Sequence, residues 1–200
     1  MTPTTKATKA NLWPMSTTRM FVAIRPPEAI REELADFLAP REGMTWIDPQ
    51  QWHLTLAFLA AVPEHRAAEL AAALGRTALR HNAFQLRLSG AGAFPDPLAA
   101  KVLWLRPNVE LTPLATGVRH AANSVGATPD GQRFVGHLSV AWPRRPIDAR
   151  RWLQVLDTFS SDSWRVTEVE LVASYLGEGP HRRPRHEVVA ALPLTQEQTE

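Results

Sequence analysis

The chain writes one short strand twice. Residues 52–59 read WHLTLAFL and residues 136–142 read GHLSVAW. With His53 set over His137, six positions run in step, H-L-T-L-A-F against H-L-S-V-A-W, 84 residues apart. Side chains alternate between the faces of a strand. His53, Thr55 and Ala57 are therefore expected on one face, with Leu54, Leu56 and Phe58 on the other. The second copy repeats this, with His137, Ser139 and Ala141 against Leu138, Val140 and Trp142. In each copy an apolar face must pack against something, while the other offers an imidazole and a hydroxyl about 6.5–7 Å apart, with a small alanine leaving room. A lone histidine on a strand is ordinarily a packing residue, and about 0.2 matches to His–apolar–Ser/Thr–apolar are expected by chance at ordinary composition. Two matches that also share the next alanine and aromatic point to a paired site.

The rest of the chain supplies the scaffold. Its 200 residues are 44% apolar with seven tryptophans, enough for one domain or two closely joined lobes. It has no cysteine, which excludes disulfides and cysteine–zinc sites and fits a reducing cytoplasm. The net charge of +2 is not that of a generic polycation. The run from His181 to His186 is locally basic and suits a phosphate-bearing ligand, a solvated loop being the alternative. No apolar stretch is long enough for a transmembrane span. Residues 1–18 lack the apolar core of a secretory signal and are expected to form a disordered leader, with Met15 or Met20 as an alternative start. Residues 195–200 read as a frayed tail.

Element types alternate along the chain. Strands are expected at Met20 to Ile24, Trp52 to Leu59, Phe84 to Leu88, Lys101 to Leu105, around His137, Val166 to Leu176 and Glu187 to Leu194. Helices are expected after Pro26-Pro27, over Pro63 to Arg80, Asn108 to Ser124 and Ile147 to Phe159. The Gly90 to Pro97 segment reads as a loop. Two strand–helix–strand halves followed by a hairpin predict an α+β fold with internal duplication.

Two histidines facing one cleft admit three chemistries. A metal centre would need more ligands, and no HExxH, His-x-His or carboxylate cluster adjoins either histidine. A nucleophilic triad would need an activated serine or cysteine, and no glycine-flanked nucleophile elbow is present. Concerted acid–base catalysis at phosphorus remains. One histidine takes a proton from the nucleophile, the other gives one to the leaving oxygen, and the hydroxyls hold the phosphoryl oxygens.

At these residues the chain resembles the two-histidine (2H) phosphoesterases, in particular the RNA 2′,3′-cyclic phosphodiesterases, also called 2′-5′ RNA ligases. RMFVAIRPP, WHLTLAFL, GAGAFPDPLAAKVLW, RFVGHLSVAW and HEVVAALPL resemble that family's landmarks, in order, over residues 19–194. The resemblance implies a bilobal α+β fold, its two pseudo-twofold-related lobes carrying antiparallel sheets that flank a central cleft. It implies a hydrolase in which His53 is the general acid protonating the departing 3′ oxygen and His137 the base activating water, leaving a 2′-phosphomonoester. Thr55 and Ser139 would bind the phosphate. Run backwards with a 5′-hydroxyl, the chemistry joins RNA ends. No metal and no cofactor are implied, and the partner is RNA or a nucleotide with a cyclic phosphate end, handled by a cytoplasmic monomer. The alternatives are a non-catalytic nucleotide- or RNA-binding module, or a 2H enzyme for another cyclic phosphate. The chain departs from the family pattern at Gly136, Ser139 and Ala60, and most at Trp142, where the family commonly has arginine. Alternation places Trp142 in packing, so Arg144 or Arg145, just past Pro143, is expected to supply that charge, with the basic run from Arg182 to Arg185 as the other source. His186 falls where some relatives place a tyrosine.

Overall fold

The computed structural model describes residues 16–179 and 183–196. Nine strands and four helices alternate: β1 (Thr17–Ile24), α1 (Glu28–Leu38), β2 (Leu54–Pro63), α2 (Ala67–Ala78), β3 (Phe84–Leu86), β4 (Leu88–Phe94), β5 (Val102–Pro107), α3 (Thr112–Ser124), β6 (Leu138–Ala141), α4 (Arg150–Leu156), β7 (Trp164–Val166), β8 (Glu168–Tyr175) and β9 (Arg185–Pro193). The expected leader falls outside the described residues except for its last three, and Thr17 and Thr18 already belong to β1. No helix among the described residues is long and apolar enough to cross a membrane.

The strands form a seven-stranded sheet in the order β4-β5-β6-β2-β1-β8-β9, with β3 and β7 as a separate pair. Every pairing between these strands is antiparallel. The order reads the same from both ends of its first six strands if β1 matches β5, β2 matches β6 and β4 matches β8. The predicted duplication is thus realised in the wiring. The two histidine strands meet at the centre through one registered pair, Leu54 with Leu138. These leucines occupy equivalent positions in the two copies, so the pseudo-twofold passes between them. Both are fully buried, and truncating either to alanine should cost about 2–5 kcal/mol.

The halves also interleave. β4 ends the first half yet pairs with β5, and β8 in the second half pairs with β1. Loop contacts cross in the same way, from Ile47 N–H to Val140 C=O at 2.9 Å and from Asp130 N–H to Phe58 C=O at 3.0 Å. Each helix buries one stripe: Ile30, Leu34 and Leu38 in α1, Leu70 and Leu74 in α2, Leu114 and Val118 in α3. These join Val22, Ile24, Leu54 and Leu56 in one large core. A much smaller cluster of Phe21, Ala23 and Val172, with Phe58 against it, lies on the opposite sheet face.

Two expectations fail for identifiable reasons. Gly90 to Pro97 is mostly strand, not loop, because the glycines leave space for an aromatic ring. Gly92 pairs with Trp104, and a Cβ at Gly92 would run into that indole. The single strands expected over 84–88 and 166–176 are each interrupted, so that β3 and β7 pair away from the main sheet.

Candidate active site

Strict alternation along β2 and β6 does not hold. The β1–β2 register slips between Val22 and Ala23, which pair with Ala57 and Thr55. The β5–β6 register slips at the equivalent place, where Leu103 and Trp104 pair with Ala141 and Ser139. An extra residue at a bulge re-aims every side chain beyond it. Ala57 and Ala141, expected in the cleft, turn into the main core. Phe58 and Trp142, expected in packing, line the cleft instead. Trp142 keeps 54% of its surface exposed, which corrects its assignment to the apolar side.

Residues up to the bulge lie where alternation puts them. His53, Thr55, His137 and Ser139 converge on one cleft of about 210 Å³. Each histidine stands just ahead of its strand and is fixed the same way. His53 Nδ1 lies 2.7 Å from the Gln51 carbonyl and His137 Nδ1 lies 2.7 Å from the Val135 carbonyl. A carbonyl only accepts, so each Nδ1 carries the hydrogen and each Nε2 is left to exchange protons. Aromatic rings brace both imidazoles. Phe21 stacks on His53 at 4.5 Å between centroids, and Phe94 meets His137 edge-on at 5.0 Å.

Electrostatics favour the uncharged form of both imidazoles. Burial, reinforced by nearby His186, Arg25 and His137, lowers the His53 pKa to about 4, against the raising effect of the Gln51 carbonyl. Burial lowers His137 as well, and lowers His186 with help from Arg25 and Arg19. A bound phosphate reverses the balance, because a nearby negative charge favours imidazolium.

Arg144 and Arg145 are exposed and line a different hollow, beside Gly43, Met44 and Trp152. The turn after β6 carries them away from the histidines. The guanidinium in the cleft wall is Arg19, held 4.4 Å from the centre of the Phe58 ring. Of the basic run, His186 reaches the cleft and lies 5.7 Å from the His53 ring. Arg183 instead pairs with Asp48 at 2.8 Å, and Arg185 with Glu178 and Glu187. His181 and Arg182 lie outside the described residues. Arg19 was missed in the sequence because it precedes the apolar run of β1. Its signal was the alternation Arg19, Phe21, Ala23 on the cleft side. Among the described residues, no group of three or more histidine, aspartate or glutamate side chains is arranged to hold a metal ion.

Known proteins resemble this chain in sequence and in fold. The chain is 30% identical over 184 residues to the RNA 2′,3′-cyclic phosphodiesterase of Escherichia coli, covering 89% of this chain and 97% of that one. It belongs to the LigT-like phosphoesterase family. That family's model matches residues 24–104, the stretch that contains the first histidine strand. An RNA 2′,3′-cyclic phosphodiesterase of Geobacillus stearothermophilus is 28% identical over 192 residues, and there the chain spans 58% of the longer relative. Among solved structures, Escherichia coli LigT complexed with 3′-AMP superposes with a TM-score of 0.72 at 28% identity, covering 90% of this chain and 99% of that one. The α+β architecture is therefore that of a LigT-like phosphoesterase.

Proposed function

We propose that this LigT-like phosphoesterase is a hydrolase that opens RNA 2′,3′-cyclic phosphate ends to 2′-phosphomonoesters. The observation that carries the reading is the matched pair of Nε2 atoms. Two equivalent histidines, each with its Nδ1 tied to a carbonyl and a hydroxyl two residues on, face one cleft from both sides. Binding alone needs no such matched acid and base, which speaks against a non-catalytic module. The names of the relatives supply the substrate class.

In the forward step His137 Nε2 takes a proton from water, and the water oxygen forms a bond to phosphorus. The bond from phosphorus to the 3′ oxygen breaks, and His53 Nε2 gives that oxygen its proton. Thr55 and Ser139 donate to the non-bridging oxygens, and Arg19 offsets their charge from the rim. Solvent then restores both histidines. Exchanging water for a 5′-hydroxyl in the reverse step would give 2′-5′ ligation. The cleft is smaller than the roughly 300–1,000 Å³ of pockets that enclose a drug-sized ligand. It suits the cyclic phosphate and its sugar, with the base outside against Phe58 or Trp142.

The test is to incubate the protein with the four 2′,3′-cyclic nucleotides and with a short RNA ending in a cyclic phosphate, and to identify the products by ³¹P NMR. A 2′-monophosphate is expected. Exclusive 3′-monophosphate would reverse the assignment of the scissile bond, and no turnover on any substrate would remove the reading.

A further inference from the structure

A second hollow lies on the helical side of the sheet, away from the catalytic histidines. Helices α2 and α3 pack on the sheet face opposite the cleft, and they run antiparallel, since Gly117 meets His81 while Arg66 donates to the Val125 carbonyl. Between them lies a cavity of about 480 Å³. Its polar lining is Arg76, Thr77, Arg80 and His81 from the α2 side, with His120 and Ser124 from α3.

Three properties mark it as more than a solvated helix surface. No carboxylate is in its lining, and neither arginine belongs to an ion pair found among the described residues. Arg76, in the last turn of α2, and Arg80, just past its end, line the same hollow, and their like charges repel, a cost that a bridging anion would remove. The floor is small by design of the sequence: Ala73, Ala121 and Gly117 leave the space open. A Cβ at Gly117 would come within 3.2 Å of His81 Nε2 and 3.1 Å of Thr77 Cγ2, so the glycine lets the imidazole sit against the α3 backbone. The C-terminal partial charge of α2 explains a basic residue in its last turn. It does not explain His120, which lines the same hollow from α3.

We propose that this cavity is a second, non-catalytic site for phosphate groups. Guanidinium forks, imidazole N–H groups and the Thr77 hydroxyl line the hollow from both helices, and a phosphate accepts hydrogen bonds from several directions at once, where a carboxylate accepts only near one plane. The phosphate belongs either to a small polyphosphate or to the backbone of an RNA strand longer than the cleft can hold.

The test follows the side-chain NMR signals of His81 and His120, assigned with His81→Asn and His120→Asn, during titration with sodium triphosphate and separately with a 12-nucleotide RNA. Both are repeated on Arg76→Gln/Arg80→Gln, whose substituted positions are exposed, one in the last turn of α2 and one in the turn after it. Saturable shifts with triphosphate, weakened about tenfold or more in the double variant, support the site and assign it to small polyphosphates. Shifts with RNA alone, together with a loss of about 0.7 in salt slope per missing contact, support it and assign it to the strand backbone. Hydrolysis of a cyclic mononucleotide should be unchanged in the double variant, so failure of the catalytic reading stays separate from failure here. If neither probe moves the histidine signals, or the double variant binds both as tightly as the parent, the site does not exist.

Discussion

The depressed pKa of His53 makes a quantitative demand on the pH dependence. With a pKa of about 4, roughly one molecule in a thousand carries a proton on His53 at pH 7 before substrate arrives. An acid that rarely holds its proton is useful only if the substrate helps it to gain one. A phosphate bound between the histidines is such a charge, and an opposite charge within about 4–6 Å moves a pKa by about 1–3 units. The profile of kcat/KM, which reports the free protein, should therefore peak below pH 6.5, because both histidines titrate below their ordinary value. The profile of kcat should extend further into the alkaline range. Rates of a cyclic mononucleotide from pH 3.5 to 9, with chemistry shown to limit turnover, give both curves. Histidine NMR titration of the free protein gives the pKa directly. The same shift acts on stability. Between pH 6.5 and 4 the unfolded chain binds a proton that folded His53 refuses, so stability is full above 6.5 and declines as pH falls through 4. The contribution is on the order of 3 kcal/mol. A free-protein pKa at or above 6.5 for His53, or a kcat/KM optimum above pH 7.5, would refute the reasoning.

Other expectations are simpler to check. His53→Ala and His137→Ala should each lower kcat by about 10²–10⁴ without changing the circular dichroism spectrum; wild-type turnover in either would end the acid–base mechanism. Arg19→Ala should lower kcat/KM roughly fivefold, as expected for a rim charge worth about 1 kcal/mol, whereas Arg144→Ala/Arg145→Ala should leave it unchanged. Steady-state kinetics on one substrate decides between them. Trp142→Ala should leave thermal stability nearly unaltered while raising KM for a nucleotide by about 5- to 100-fold if a base stacks there. EDTA should not reduce activity, and restoration by Mg²⁺ after a loss would point to a metal-assisted route.

The reach of sequence reasoning here is set by the period of a strand. His53, Thr55, His137 and Ser139 could be placed on one face because they lie ahead of any irregularity, and the repeat itself announced the pseudo-twofold. Phe58 and Trp142 could not be placed, because a bulge is decided by the neighbouring strand. Its position shows only in the pairing of Ala23 with Thr55 and of Trp104 with Ser139. Arg19 and His186 come from strands β1 and β9, far apart in the chain, and the alternation that puts Arg19 on the Phe21 face does not tell that β9 brings His186 to the same cleft. Arg144 and Arg145 are near His137 along the chain but not in space, since the turn after β6 leads them to another hollow. The strand within Gly90 to Pro97 is hidden in the sequence because a glycine that makes room for a ring looks there like a glycine that makes a turn.

The exchange of outer strands has a consequence for how such a chain can arise. A half-length chain wired like the first half would carry β4 with no neighbour of its own to pair with, since the partner strand is β5. It would likewise leave β1 with an open edge where β8 now lies, and open edges invite pairing with another chain. Both defects vanish when two copies trade their last strands. The wiring is thus that of a reciprocal pair, and joining the members of such a pair end to end yields the present fold without rearranging a strand. Once two such copies are joined, each is free to vary alone, and the present cleft holds threonine and phenylalanine on one side and serine and tryptophan on the other.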